Sequence, residues 1–269
     1  MPDVIRIDDA DRVRTVTFDR PDQANAFDEA LYLAVAGALA DAAADDTVGA
    51  VVLTGAGRHF CSGTDLVEMA ALAAGMSAVP DERGAEGAAA GGAGGEASGS
   101  GHGFVALLDA LTSFPKPLLA AVDGAGVGLG LTMLLHCDLV LVSDRARLKA
   151  PFAEMGVPPE AASSLLLPVR MGGQAAALAL FTSRWITADE AVASGLALRV
   201  VPQAELRAEA QALAAEIAAH PLAALVATKQ LLLDSRADAV AAARAREDQA
   251  FSILLRGQGV EAGILGQLA

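Results

Sequence analysis

The chain has 269 residues, 54% of them hydrophobic, and a formal net charge of −14. That apolar share excludes disorder across the whole chain and supports a sizeable core. The acidic balance excludes the broad basic field that nucleic-acid binding requires, so an anionic ligand must be held by local donors such as backbone N–H groups.

From the N-terminus, MPDVIRIDDA lacks the basic start and apolar run of a signal peptide. Val4–Ile7 and Val13–Phe18 alternate apolar and polar residues, and Asp9-Ala10-Asp11-Arg12 between them fits a hairpin connection. Asp28–Ala44 has helical apolar spacing through Leu31, Val35 and Leu39, and Ala50–Leu53 is a short buried strand. Asp65–Ala74 is expected to be helical, opening on a capping box, Asp65-Leu66-Val67-Glu68. Gly75–Gly103 is low-complexity Gly/Ala/Ser and reads as a surface loop. Helical spacing resumes at Phe104–Phe114, a second buried strand covers Leu118–Val122, a helix Leu129–His136, and a third buried strand Leu139–Ser143. Helices are then expected over Ala161–Arg170, Gly173–Phe181, Ala188–Ser194, Gln203–Ala219, Leu222–Asp234 and Arg236–Leu255, with one strand, Leu198–Val201, among them. No apolar run reaches the ~18 residues of a membrane span, so no membrane partner is expected. Cys61 and Cys137 lie in separate segments, which gives neither a disulfide framework nor a metal site, and a reducing cytoplasm is the expected location. Strands alternating with helices, then helices following helices, predict an α/β core over 1–202 and a helical region over 203–269.

Two of the buried strands run into Gly-rich turns, Gly55–Asp65 and Asp123–Thr132. The dinucleotide fingerprint GxGxxG fails in both, because Phe60, Leu129 and Leu131 stand where its third glycine belongs. A GxSxG elbow is also missing, so serine-hydrolase chemistry has no support. What remains is a pair of turns in which glycine lets a ligand approach unpaired backbone N–H groups, the makings of an oxyanion hole. Close packing would explain the same glycines equally well.

VVLTGAGRHFCSGTDL (Val51–Leu66) and AAVDGAGVGLGLTMLLHCDLVLVSDRARLKAPFAEMGV (Ala120–Val157) resemble the two signatures of the crotonase, or enoyl-CoA hydratase/isomerase, superfamily. DRPDQANAFDEAL and ITADEAVASGLALRVVP resemble further family segments, so the likeness spans nearly the whole chain. It implies a spiral of ββα units with a C-terminal helical trimerisation region, as trimers or paired trimers, acting on acyl-CoA thioesters. No cofactor is implied beyond the CoA of the substrate. By the same resemblance the N–H groups of Thr64 and Leu129 polarise the thioester carbonyl, and CoA is held largely by main chain around Ala24, Ala26, Ser62, Gly63, Asp65 and Leu66.

Hydratases of the family use two glutamates, and here those positions are Thr132 and Phe152, neither of which can act as a base near neutral pH. PFAEMGVPPEAASSLLLPVRMG resembles instead the 3-enoyl to trans-2-enoyl-CoA isomerase branch, which implies Glu160 as a single catalytic base. Read without the resemblance, Pro158-Pro159-Glu160 is a good helix start, with an acid favoured by the helix dipole. Glu154 is expected to face away from the site, Arg20, Arg58 and Lys229 to reach CoA phosphates, and Trp185 to be a packing anchor. A hydratase-like or other crotonase reaction on a specialised acyl group, and a non-catalytic acyl-CoA binding module, are the alternatives.

Overall fold

The computed structural model describes residues 4–65 and 102–255. The helix expected over Asp65–Ala74 and nearly all of the low-complexity segment lie outside them. Six strands form the main sheet, in the order β1 (Ile5–Ala10), β2 (Val13–Phe18), β3 (Ala50–Gly55), β4 (Leu118–Val122), β6 (Leu139–Ser143) and β9 (Arg199–Val201). β1 and β2 make the expected antiparallel hairpin, and all later neighbours pair in parallel. The hairpin turns on Asp11 and Arg12, both left-handed at φ 52° and 62°, the backbone hand that matches strand twist in a two-residue connection.

Both faces of the sheet are covered, which is why β3 and β4 read as continuous apolar runs. Val51 and Leu53 face a core shared with α1 (Glu29–Ala44) and α2 (His102–Ser113). Ala50 and Val52 face α8 (Leu206–Ala218), which lays Leu206, Ala210, Ala214 and Ala218 on the sheet. Alanines four residues apart let this helix approach closely: a Cβ on Gly49 would stand 2.9 Å from that of Ala218. α1 begins where its sequence says it should, with the Asp28 carboxylate accepting the Leu31 N–H at 2.9 Å.

A second, three-stranded sheet was not legible in the sequence. It joins β5 (Ala125–Val127), β7 (Arg147–Lys149) and β8 (Trp185–Thr187). Strands of three residues carry no alternation to detect, and Ala-Gly-Val reads as part of a turn until a partner supplies its hydrogen bonds. The helix expected from Leu129 to His136 is a four-residue α3 (Leu129–Thr132) followed by a 3-10 turn, Met133–Leu135. A further short helix, α4 (Phe152–Met155), precedes α5 (Ser163–Met171), α6 (Gly173–Thr182) and α7 (Ala188–Ala193). After α8 the chain continues as α9 (Leu222–Asp234) and α10 (Ala237–Leu255). No single helix among the described residues is long and apolar enough to cross a membrane.

Lys229, on α9, corrects an expectation. It is 3% exposed, with its ammonium 2.7 Å from both oxygens of Asp138, whose Oδ2 also accepts the Leu118 N–H at 2.8 Å. A buried cation spent on this pair ties α9 to the main sheet and is not available to a ligand phosphate.

Candidate active site

The two Gly-rich turns lie against each other, backbone to backbone. Cys61 N–H donates to Ala125 O at 3.0 Å and Val127 N–H to Cys61 O at 2.9 Å, a parallel bridge between the first turn and β5. Beyond this bridge Gly63 (φ +102°) leaves no room for a side chain: a Cβ there would meet Val127 O at 3.0 Å. Gly128 adopts φ 55°, ψ −116°, a conformation open in practice to glycine alone. The chain can therefore turn twice in the same place, leaving the residues that follow, Thr64 and Leu129, on one cavity. Among the described residues neither N–H donates to a backbone acceptor.

That cavity encloses about 100 Å³. It is lined by the two turns, through Ser62, Gly63, Thr64, Val127, Gly128 and Leu129, and by Phe152, Met155, Val157, Pro158, Glu160 and Phe251. Glu160 keeps partial exposure through the cavity it lines but is otherwise surrounded by protein. Burial, and secondarily the charge of Glu247, push its carboxyl from the ordinary value up to about 7. Among the described residues nothing hydrogen-bonds or ion-pairs with this carboxyl. It is thus half-ionised near neutrality with its oxygens free, the state in which a carboxylate can take a proton from carbon.

Glu160 is not a helix starter. Ala161 and Ala162 are left-handed at φ 60° and 59°, Ser163 N–H turns back to Glu160 O at 3.0 Å, and α5 begins only at Ser163. The expected Ala161–Arg170 helix thus starts two residues late, and Glu160 stands outside its first turn. No side chain within α5's own N-terminus caps it. Glu247, from α10, accepts the N–H groups of Ala162 (2.7 Å) and Ser164 (2.8 Å) instead. On the other side His136 Nε2 lies 2.9 Å from Ala161 O. Burial drives this imidazole down to about 4, so it is neutral at pH 7 and Nε2 carries the donated hydrogen. His136, Glu247 and Phe251 are the site residues the sequence reading missed. One signal was available: Val240, Ala243, Glu247 and Phe251 fall on one helical face, and an acid in a buried stripe is conspicuous.

The remaining expectations divide. Ser62 joins the cavity, and its N–H donates to Ala24 O at 3.0 Å, so Ala24 is adjacent to it. Ala26 and Asp65 are not in the cavity wall. The Asp65 N–H donates to Phe27 O at 2.8 Å, and its carboxylate lies 3.7 Å from Arg20. Leu66 lies outside the described residues. Arg20 is engaged with Ala26 O and, at 3.0 Å, with Asp28. Arg58 lines a different hollow with His59, Arg145, Arg147 and Trp185. Trp185 is 45% exposed under the Lys149 ammonium, which corrects its reading as a packing anchor. Glu154 pairs with Lys149 at 2.6 Å and is not in the cavity wall. At the two positions where hydratases carry glutamates, Phe152 is part of the apolar wall, and Thr132 is fully buried with its hydroxyl 3.5 Å from Leu129 O. Both cysteine thiols are buried and pushed up to about 12, so neither is a nucleophile.

The chain matches the family model for enoyl-CoA hydratase/isomerase over residues 8–90 and 84–266. It is 36% identical over 197 residues to enoyl-CoA delta isomerase 2 of Rattus norvegicus, covering 73% of this chain and 46% of that protein. To 2,3-dehydroadipyl-CoA hydratase of Escherichia coli (strain K12) it is 32% identical over 255 residues, 94% of this chain and 91% of the other. The crystal structure of an enoyl-CoA hydratase/isomerase from Pseudoalteromonas atlantica T6c matches with a TM-score of 0.84 at 30% identity, over 98% of this chain and 96% of that one. With the fold shared over nearly the whole length and both signature turns meeting at one cavity, the chain is an enzyme of the enoyl-CoA hydratase/isomerase, or crotonase, family.

Proposed function

We propose that this enzyme moves the double bond of 3-enoyl-CoA thioesters to the trans-2 position, with Glu160 as its single base. The observation that carries the reading is the cavity itself: among the described residues an unpartnered carboxyl raised to about 7 shares it with Thr64 and Leu129, whose N–H groups donate to no backbone acceptor there, and with Phe152 in place of a second acid. In the reaction the Glu160 carboxylate takes a proton from C2. The electrons of that C–H bond move into a dienolate whose charge rests on the thioester oxygen. The two N–H groups hold this oxygen, each donor contributing about 10²–10³ in rate. The protonated Glu160 then delivers its proton to C4, the double bond settles between C2 and C3, and the carboxylate is restored. Ala24, Ala26, Ser62, Gly63, Asp65 and Leu66 are proposed to lie along the CoA.

Incubation with 3-hexenoyl-CoA, following the conjugated 2-enoyl thioester by absorbance, tests the reaction. Full activity in Glu160→Gln would remove Glu160 from it. The near full-length likeness to a hydratase favours a second reading, addition of water to a 2-enoyl thioester. Loss of conjugated absorbance from a trans-2-enoyl-CoA would support that one. Tight acyl-CoA binding with no turnover of either substrate would make the protein a binding module.

The expected trimer, or pair of trimers, is proposed on the apolar side chains left in solvent on the helical part. Val169, Phe181, Leu231 and Ile253 are each more than 60% exposed.

A further inference from the structure

The residue that presents Glu160 is held by groups distant in sequence. Ala161 and Ala162 both sit in the left-handed region, which is strained for a non-glycine residue and persists only where surroundings enforce it. A serine or aspartate at position 162 could have capped α5 from within. The chain has alanine there and brings in a carboxylate from α10. Both oxygens of Glu247 are used, one on each of two N–H groups that flank Ser163, and the residue is only 6% exposed. One helical turn further on, the same face of α10 supplies Phe251 to the cavity wall.

We propose that Glu247 is a positioning residue for the proton transfer at Glu160, holding from α10 the left-handed turn that presents Glu160 to the cavity. The inference rests on Glu160 being the base. It has a consequence that a neutral cap would not have. The Glu247 charge opposes ionisation of Glu160 and so adds to the effect of burial, keeping its proton affinity near neutrality.

Among the described residues Glu247 on α10 is the titratable group whose charge acts on Glu160. Glu160 in turn raises Cys61, on the first Gly-rich turn, which stays protonated and so puts no charge on it. His136 is neutral behind the turn, under the influence of Arg170, Arg236 and Arg244. Lys149 on β7 and Glu154 on α4 pair with each other, and neither is in the cavity wall. Asp248, exposed on α10, acts on Glu247.

The test uses the full chain and 3-hexenoyl-CoA, with Glu247→Gln, Glu247→Asp, Asp248→Asn and Glu160→Gln measured in parallel. Glu247→Gln keeps the shape of the side chain, removes its charge and turns one acceptor into a donor. It is expected to lower kcat about ten- to a hundredfold with KM within about twofold, the signature of a misplaced base. It should also move the acidic limb of kcat/KM to lower pH by roughly one unit, because Glu160 then ionises more easily. Asp248→Asn should leave kcat and the profile as in the parent. A folded Glu247→Gln with parental kcat and an unmoved acidic limb overturns the proposal, as does an equal displacement in Asp248→Asn. If Glu247→Gln does not fold, Glu247→Asp decides, since it keeps the charge but is too short to reach both N–H groups. Parental kcat there overturns the proposal, and a tenfold fall at unchanged KM supports it. Full activity in Glu160→Gln would instead remove the base assignment, an outcome read separately from the other three variants.

Discussion

As the proposed base, Glu160 carries a conflict between stability and reaction. Its carboxyl is raised from 4.5 to about 7 because it is buried. Between those values the folded protein holds a proton that the unfolded chain has released, so the stability of the native state falls as pH rises through this window. Glu160→Gln removes the penalty. Denaturant unfolding should show the variant more stable than the parent at pH 8, by up to roughly 3 kcal/mol, and equal to it at pH 4. The same variant should lose isomerase activity by about 10²–10⁴, the usual contribution of a positioned base. In the parent, kcat/KM should rise with pH along an acidic limb centred near pH 7, as the carboxyl ionises. A limb centred near pH 4.5 would mean that the reacting carboxyl is an exposed one. Much of this was legible beforehand: Glu160, Thr64 and Leu129 could be named because the residues around them match family motifs in order and spacing. The absence of helical capping at Glu160 could not, because Pro-Pro-Glu is locally a good helix start and only the left-handed alanines displace the helix.

At the scale of elements, the site depends on two turns that pass within contact of each other. Gly63→Ala puts a Cβ 3.0 Å from Val127 O at a φ of +102°. The expected result is a loss of about 1–3 kcal/mol in thermal or denaturant unfolding. A fall in kcat larger than the change in KM should accompany it, because the Thr64 N–H is displaced from the carbonyl it is proposed to polarise. Lys229 gives the opposite pattern. Lys229→Met leaves the partly buried Asp138 beside an apolar group, and breaking the pair in this way costs about 1–3 kcal/mol, less than for two fully buried charges. The KM for acyl-CoA should stay unchanged in whatever fraction remains folded, which a phosphate contact would not allow. The long elements were readable: β2, α1 and the C-terminal helices because each repeats its apolar period, and β3 and β4 because each is a continuous apolar run. β5, β7 and β8 repeat nothing within three residues, and they exist because neighbouring chain completes their hydrogen bonds.

At the scale of the molecule, helices α6, α9 and α10 leave Phe181, Leu231 and Ile253 in water. Sedimentation equilibrium should return three or six times the chain mass of 27.1 kDa. A monomer at micromolar concentration would sink the trimer. What could be read from residue order alone was local or repetitive: strand and helix periods, glycines where two turns need them, and the replacement of both hydratase glutamates by Thr132 and Phe152. These properties are encoded in neighbours along the chain. The state of Glu160 is of another kind. The turn that presents it is closed by Glu247, 85 residues from Ala162, and backed by His136, 25 residues from Ala161. No local pattern specifies such contacts, and no isolated segment would hold two alanines left-handed. Only when α10 packs on α5 do the carboxylate, the strained turn and the apolar wall meet, and burial by that packing raises one glutamate to the proton affinity the reaction needs.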